Sequence, residues 1–120
     1  MHNKILIVDD DPGVCNSLAM LLRFEKFHVD KTTDSRKGVA LIKKNKYDVC
    51  LFDYKMEGLN GIDLLRITKD LNPRCPVFII SAMLNIDELC KKEIKAGLLA
   101  GTISKPFDVE ELLQKIRAVI

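Results

Sequence analysis

Short apolar runs alternate with helix-spaced apolar stripes five times along this chain, and few folds accommodate that rhythm. Residues 5–8, Ile-Leu-Ile-Val, form a continuous apolar run that stops at Asp9-Asp10-Asp11, the pattern of a strand buried on both faces. Asp11-Pro12 then supplies a helix N-cap and a proline for the first helical position. Val14, Leu18, Leu21 and Leu22 follow as the buried stripe of a first helix. Residues 29–32 make a second strand, and Asp34 or Ser35 caps a second helix with Gly38, Val39 and Ile42 inward. Residues 48–52 form the third strand, ending at Asp53. Gly58-Leu59-Asn60-Gly61 is a loop, and Ile62, Leu64, Leu65, Thr68 and Leu71 mark a third helix that stops before Asn72-Pro73. Residues 77–80 form a fourth strand ending at Ser81. Ile86, Leu89, Cys90 and Ile94 predict a fourth helix, closed by Gly97. Residues 101–104 are a fifth strand, and Val109, Leu112, Leu113, Ile116 and Val119 a last helix.

Five strands alternating with five helices imply an α/β fold, a parallel sheet covered on both faces. Right-handed crossovers leave few topologies, of which the flavodoxin-like strand order 2-1-3-4-5 suits 120 residues best. With 48% hydrophobic residues the chain can build one core, so residues 1–120 are expected to form a single domain. Nineteen basic residues against 17 acidic ones leave a formal charge of +2. The densest basic stretch, Lys43-Lys44-Asn45-Lys46, reads as a solvated helix end, so no direct nucleic-acid partner is expected. No apolar run approaches the roughly eighteen residues of a membrane span, and the first strand is too short for a signal peptide. No membrane partner is expected, and the expected location is the cytoplasm. Cys15, Cys50, Cys75 and Cys90 are widely spaced, without a Cys-x-x-Cys pair, and read as buried free thiols. His2 and His28 are assigned no role.

In doubly wound sheets, ligands bind beyond the carboxyl ends of the strands, at the switch point beside the first strand. The chain places Asp9-Asp10-Asp11, Asp53, Ser81 and Lys105-Pro106 at those ends. Converging carboxylates repel one another. A hard divalent cation resolves the conflict, and carboxylate oxygens that leave room for water suit Mg²⁺. Lys105 adds a compensating charge and Ser81 a neutral donor for a phosphoryl oxygen. Metal, lysine and hydroxyl around one carboxylate constitute a phosphoryl-transfer site. Asp53, alone at the end of the central strand, is the candidate nucleophile; Asp9 and Asp10 are better metal holders. Each residue alone has an ordinary explanation, since aspartates after strands are often helix caps. The argument rests on the match of residue type to strand end at four strands together.

Val8-Asp9-Asp10, Asp53 followed by Met56 and Asn60-Gly61, Ile80-Ser81-Ala82, and Lys105-Pro106-Phe107 resemble the motifs of the receiver domain of two-component response regulators. The resemblance runs from Lys4 to about Ala118. It implies a signalling switch rather than an enzyme, catalysing only its own phosphorylation and dephosphorylation. Asp53 would accept a phosphoryl group from a phosphohistidine of a sensor histidine kinase or phosphotransfer protein. Asp10, Asp53 and the backbone carbonyl of Lys55 would ligate Mg²⁺, with Asp9 acting through water. Ser81 would follow the phosphoryl group, Lys105 would pair with it, and the Lys105-Pro106 bond would be cis. The implied output is a changed affinity for an output domain or effector. The face made by the fourth helix, fifth strand and last helix could also pair with a second copy. The sequence departs from the family where Glu57 replaces the usual proline after Met56, leaving a solvated carboxylate. Thr102 stands where an aromatic ring usually rotates on activation, so a switch without that ring is expected. Lys55 and Met83, two residues beyond Asp53 and Ser81, are expected to flank the path of a hydrolytic water.

An enzyme reading competes. Asp9-x-Asp11 after a first strand, with a later Ser and Lys, also resembles the haloacid dehalogenase phosphatases, with Asp9 as nucleophile and Asp11 as general acid. Pro12-Gly13 departs from that family's motif, Asp53 would be left without a function, and no cap domain to enclose a substrate is expected.

Overall fold

The computed structural model describes residues 3–120; His2 lies outside them. Strands β1 (Lys4–Val8), β2 (His28–Thr32), β3 (Val49–Asp53), β4 (Val77–Ser81) and β5 (Gly101–Ser104) form one parallel sheet. Its order is β2-β1-β3-β4-β5, as expected. β1, β3 and β4 are the buried strands; every residue of β3 and β4 is buried. The continuous apolar runs therefore gave these elements away, because a strand covered on both faces has no polar alternation.

Helices α1 (Pro12–Phe24) and α6 (Val109–Ala118) cover one face of the sheet. Ile5, Ile7, Leu51, Ile80 and Ile103 meet Leu18, Leu22, Leu112 and Ile116 there. On the other face α2 (Ser35–Lys44) and α3 (Gly61–Leu71) pack with the short helices α4 (Ile86–Leu89) and α5 (Lys91–Lys95) over Leu6, Val8, Phe52 and Ile79. Asp11, Asp34, Asn60 and Asp108 cap α1, α2, α3 and α6 through side-chain bonds to backbone N–H groups.

Four expectations are corrected. The fourth helix is two single turns joined at Cys90, so the described residues hold six helices instead of five. Its inner face is Ile86, Cys90 and Glu93, whereas Leu89 and Ile94 are 42% and 36% exposed. In α1 the buried stripe runs through Cys15, Leu18, Ala19 and Leu22, displacing Val14 and Leu21 to the margin. Leu71 and Val109, expected inside, lie at helix ends and are about half exposed.

Candidate functional site at the carboxyl ends of the strands

The first strand runs straight into the site. Asp9, one residue beyond β1, is fully buried. Its Oδ1 accepts from the Asp11 N–H at 3.0 Å, and its backbone carbonyl accepts from the Cys15 thiol at 3.1 Å. Asp10 is exposed beside it. Asp53 closes β3 and is 7% exposed. One carboxylate oxygen from each of Asp9, Asp10 and Asp53 lies within 4.8 Å of the other two. Lys105 follows β5, and its N–H donates to the Ser81 carbonyl at 2.9 Å, tying it to the end of β4. The Lys105-Pro106 bond is cis, as expected. The ammonium reaches back between the carboxylates, 2.7 Å from Asp9 Oδ2 and 3.3 Å from Asp53 Oδ1.

The electrostatics follow from crowding three carboxylates around one ammonium. Burial, and then the neighbouring Asp9 charge, pushes the Asp53 carboxyl up to about 7 against the pull of Lys105. Burial alone would lower the Lys105 ammonium, but its contacts with Asp9 and Asp53 outweigh that and raise it. Asp9 Oδ2 is buried without a well-directed hydrogen bond, held only by the Lys105 charge. An oxygen cluster short of positive charge, with a buried oxygen lacking a directed donor, fits a hard divalent cation that keeps part of its water shell.

The remaining sequence candidates lie at or beyond the ends of β3 and β4 and on β5. Ser81 ends β4 and is buried; its Oγ accepts from the Met83 N–H at 3.0 Å. Lys55 is exposed on the loop after β3, and Met83 is 40% exposed on the loop after β4. Glu57 is solvated, as expected. Thr102 is half-buried on β5, and its hydroxyl donates to the Asp87 carboxylate of α4, a contact the sequence did not disclose. Of the two candidate caps of α2, Asp34 and Ser35, it is Asp34 that does the capping. The Ser35 hydroxyl instead donates to the Glu57 carbonyl at 3.1 Å and accepts from the Leu59 N–H at 3.2 Å, tethering the loop that carries Lys55. Gly58 turns in that loop with φ +79°, a conformation that favours glycine.

Comparison with known proteins decides between the two readings. The family profile of the response regulator receiver domain matches residues 5–117. The chain belongs to the response regulator receiver family. This receiver is 29% identical over 119 residues to TcrX of Mycobacterium tuberculosis, covering 97% of the chain and 49% of TcrX. It is 28% identical over 120 residues to the cell cycle response regulator CtrA of Brucella ovis, covering 98% of the chain and 50% of CtrA. The receiver thus spans about half the length of these curated relatives. Among solved structures, a CheY-like receiver domain protein from Methanospirillum hungatei superposes with a TM-score of 0.89 at 29% identity, over 98% of this chain and 93% of that one. The chemotaxis protein CheY4 of Vibrio cholerae matches in fold, with a TM-score of 0.89 at 24% identity over 100% of both chains. Receiver domains of two-component systems are signalling switches and not enzymes in the ordinary sense. The phosphatase alternative finds no support: Asp11 is turned away to cap α1, accepting from Gly13 N–H at 2.8 Å, and Asp9 is locked against Lys105.

Proposed function

We propose that this receiver is a phosphoacceptor switch in which Asp53 takes a phosphoryl group from a phosphohistidine on a sensor histidine kinase or phosphotransfer protein. The observation that carries the reading is the Lys105 ammonium bridging Asp9 and Asp53 within a three-carboxylate cluster. An Asp53 oxygen attacks phosphorus in line as the phosphorus–nitrogen bond to the histidine breaks, and the imidazole leaves with the electron pair. Asp10, Asp53 and the Lys55 carbonyl would hold Mg²⁺, with Asp9 acting through water. When bound, that ion neutralises charge on the phosphoryl oxygens. Lys105, 3.3 Å from Asp53, neutralises a further oxygen. Ser81 gives up its Met83 N–H partner to donate to the phosphoryl group, and this movement alters the face formed by α4, α5, β5 and α6. That face would then change its affinity for an output domain, an effector or a second copy. The reading places the domain in the cytoplasm, and no described helix is long and apolar enough to cross a membrane.

The test is incubation with Mg²⁺ and acetyl phosphate. One base-labile phosphoryl group should be added per chain, and Asp53→Asn should abolish it. Label retained on Asp9 in that variant would restore the phosphatase reading.

A further inference from the structure

Two of the four buried thiols are neighbours. Cys50 in β3 and Cys75, just ahead of β4, place their Sγ atoms 3.7 Å apart. The pairing of the strands brings them together: Cys50 lies opposite Val77, and its N–H donates to the Pro76 carbonyl at 3.0 Å. We propose that Cys50 and Cys75 are a reversible dithiol–disulfide pair whose oxidant is a hydroperoxide, with Cys75 the sulfur oxidised first.

The two sulfurs are not equivalent. Cys75 lines a surface cavity of about 340 Å³ at the amino end of the sheet, which Lys46, Asp48, Asn72 and Arg74 also border; Cys50 does not reach it. Lys69 Nζ donates to the Cys75 carbonyl at 2.6 Å, fixing a cation beside that residue. The Cys50 thiol, in contact with Cys75 and sealed in the core, is placed to donate to a Cys75 thiolate. The Cys75 thiol is lowered by its hydrogen bond with Cys50 and by Lys69, against burial and the Asp48 charge, and the Cys50 thiol is raised by Cys75 and by burial. Cys15 differs: its thiol donates to the Asp9 carbonyl at 3.1 Å, and burial raises it. Burial likewise raises Cys90.

The chemistry balances with hydrogen peroxide as the peroxide. The Cys75 thiolate attacks one peroxide oxygen, the oxygen–oxygen bond breaks, and hydroxide leaves, giving a sulfenic acid. Cys50 yields its proton to that hydroxide, forming water, and its thiolate attacks the Cys75 sulfur. The second hydroxide leaves and takes the proton Cys75 had released. Two thiols lose two electrons, one peroxide becomes two waters, and the sulfurs close from contact to a bond of about 2.05 Å. A dithiol reductant reverses the exchange.

The pair is separate from the carboxylate cluster, so its test does not depend on phosphorylation. The reduced domain is treated with hydrogen peroxide, quenched by alkylation under denaturing conditions, and mapped by mass spectrometry. A Cys50–Cys75 linked peptide should form, with Cys15 and Cys90 alkylated, and dithiothreitol should restore all four thiols. Cys50→Ala should instead trap a dimedone-reactive sulfenic acid at Cys75, and Cys75→Ala should slow peroxide consumption at least about tenfold. Asp53→Asn, although it removes the proposed phosphoacceptor, should form the same Cys50–Cys75 link. A wild-type protein that forms no such link, or that links Cys15 or Cys90 instead, overturns the proposal whether or not the alanine variants fold. Wild-type consumption by a folded Cys75→Ala, or a dimedone adduct elsewhere in a folded Cys50→Ala, overturns the order of events.

Discussion

Asp53 sits in repulsion that its own neutralisation should relieve. Its carboxyl is buried beside Asp9 and raised to about 7, against about 3.9 in an unfolded chain. The folded state therefore holds the proton more tightly, and this group's favourable contribution is complete below about pH 4 and lost as pH rises through about 7. In chelator, Asp53→Asn should stabilise the domain at pH 8 by at most about 4 kcal/mol, and by less at pH 5. Urea denaturation at the two pH values checks this, and a variant less stable than wild type at pH 8 would contradict it. Lys55 and Met83 make a second case at this scale. Both stand exposed on the loops that frame the site. Lys55→Asn and Met83→Glu should each shorten the lifetime of the aspartyl phosphate. Charge alone supplies less than about tenfold, since an exposed pair contributes at most about 1 kcal/mol. Following dephosphorylation by intact mass would show it, and unchanged rates in both variants would mean that these side chains do not screen the water.

At the scale of elements, the site depends on how tightly β3 packs against α3. A Cβ added at Gly61 would lie 2.5 Å from the Asp53 carbonyl and 2.8 Å from Ile79 Cδ1. Gly61→Ala should therefore cost about 1–3 kcal/mol by overpacking, read as a lower Tm, and should slow phosphorylation by displacing Asp53. On the opposite flank, Thr102 links β5 to α4 through Asp87, while its carbonyl accepts from Lys115 of α6 at 2.7 Å. Amide shifts on addition of beryllofluoride should accordingly extend from Ser81 into α4, β5 and α6 without an aromatic side chain moving at residue 102. Shifts confined to the pocket would oppose a conformational output. β1, β3 and β4 and the residues at their ends were legible because parallel strands buried on both sides must be apolar throughout, so the first charged or hydroxyl residue marks the exit. The division at Cys90 was not legible. Apolar periodicity weighs Leu89 and Ile94 heavily and Cys90 lightly, yet packing chose the thiol and the stem of Glu93. Small Cys15 and Ala19 were undervalued in α1 for the same reason. The Ser35 tether escaped notice because its partners, Glu57 and Leu59, are brought near only by the fold.

For the whole molecule, the three-carboxylate cluster makes stability and ion binding one measurement. A ligand that binds only the folded state at a hundredfold excess over its Kd adds about 2.7 kcal/mol. Saturating Mg²⁺ should raise Tm by the corresponding amount in wild type, with the gain lost in Asp10→Ala and reduced less in Asp9→Ala. Equal gains in wild type and Asp10→Ala would remove Asp10 from the site. Resistance to unfolding is itself uneven across the domain. The sheet interior, β1, β3 and β4, is sealed on both sides, whereas α4 and α5 have four and five residues. Turns that short do not persist in water by themselves; they are ordered by what Ile86, Cys90 and Leu99 bury beneath them. Residues 86–95 should therefore open locally at a small fraction of the global unfolding free energy, and their amides should exchange with deuterium well before those of the central strands. A segment that opens at so small a cost would need only the energy of one hydrogen bond gained or lost at Ser81 to change its population severalfold.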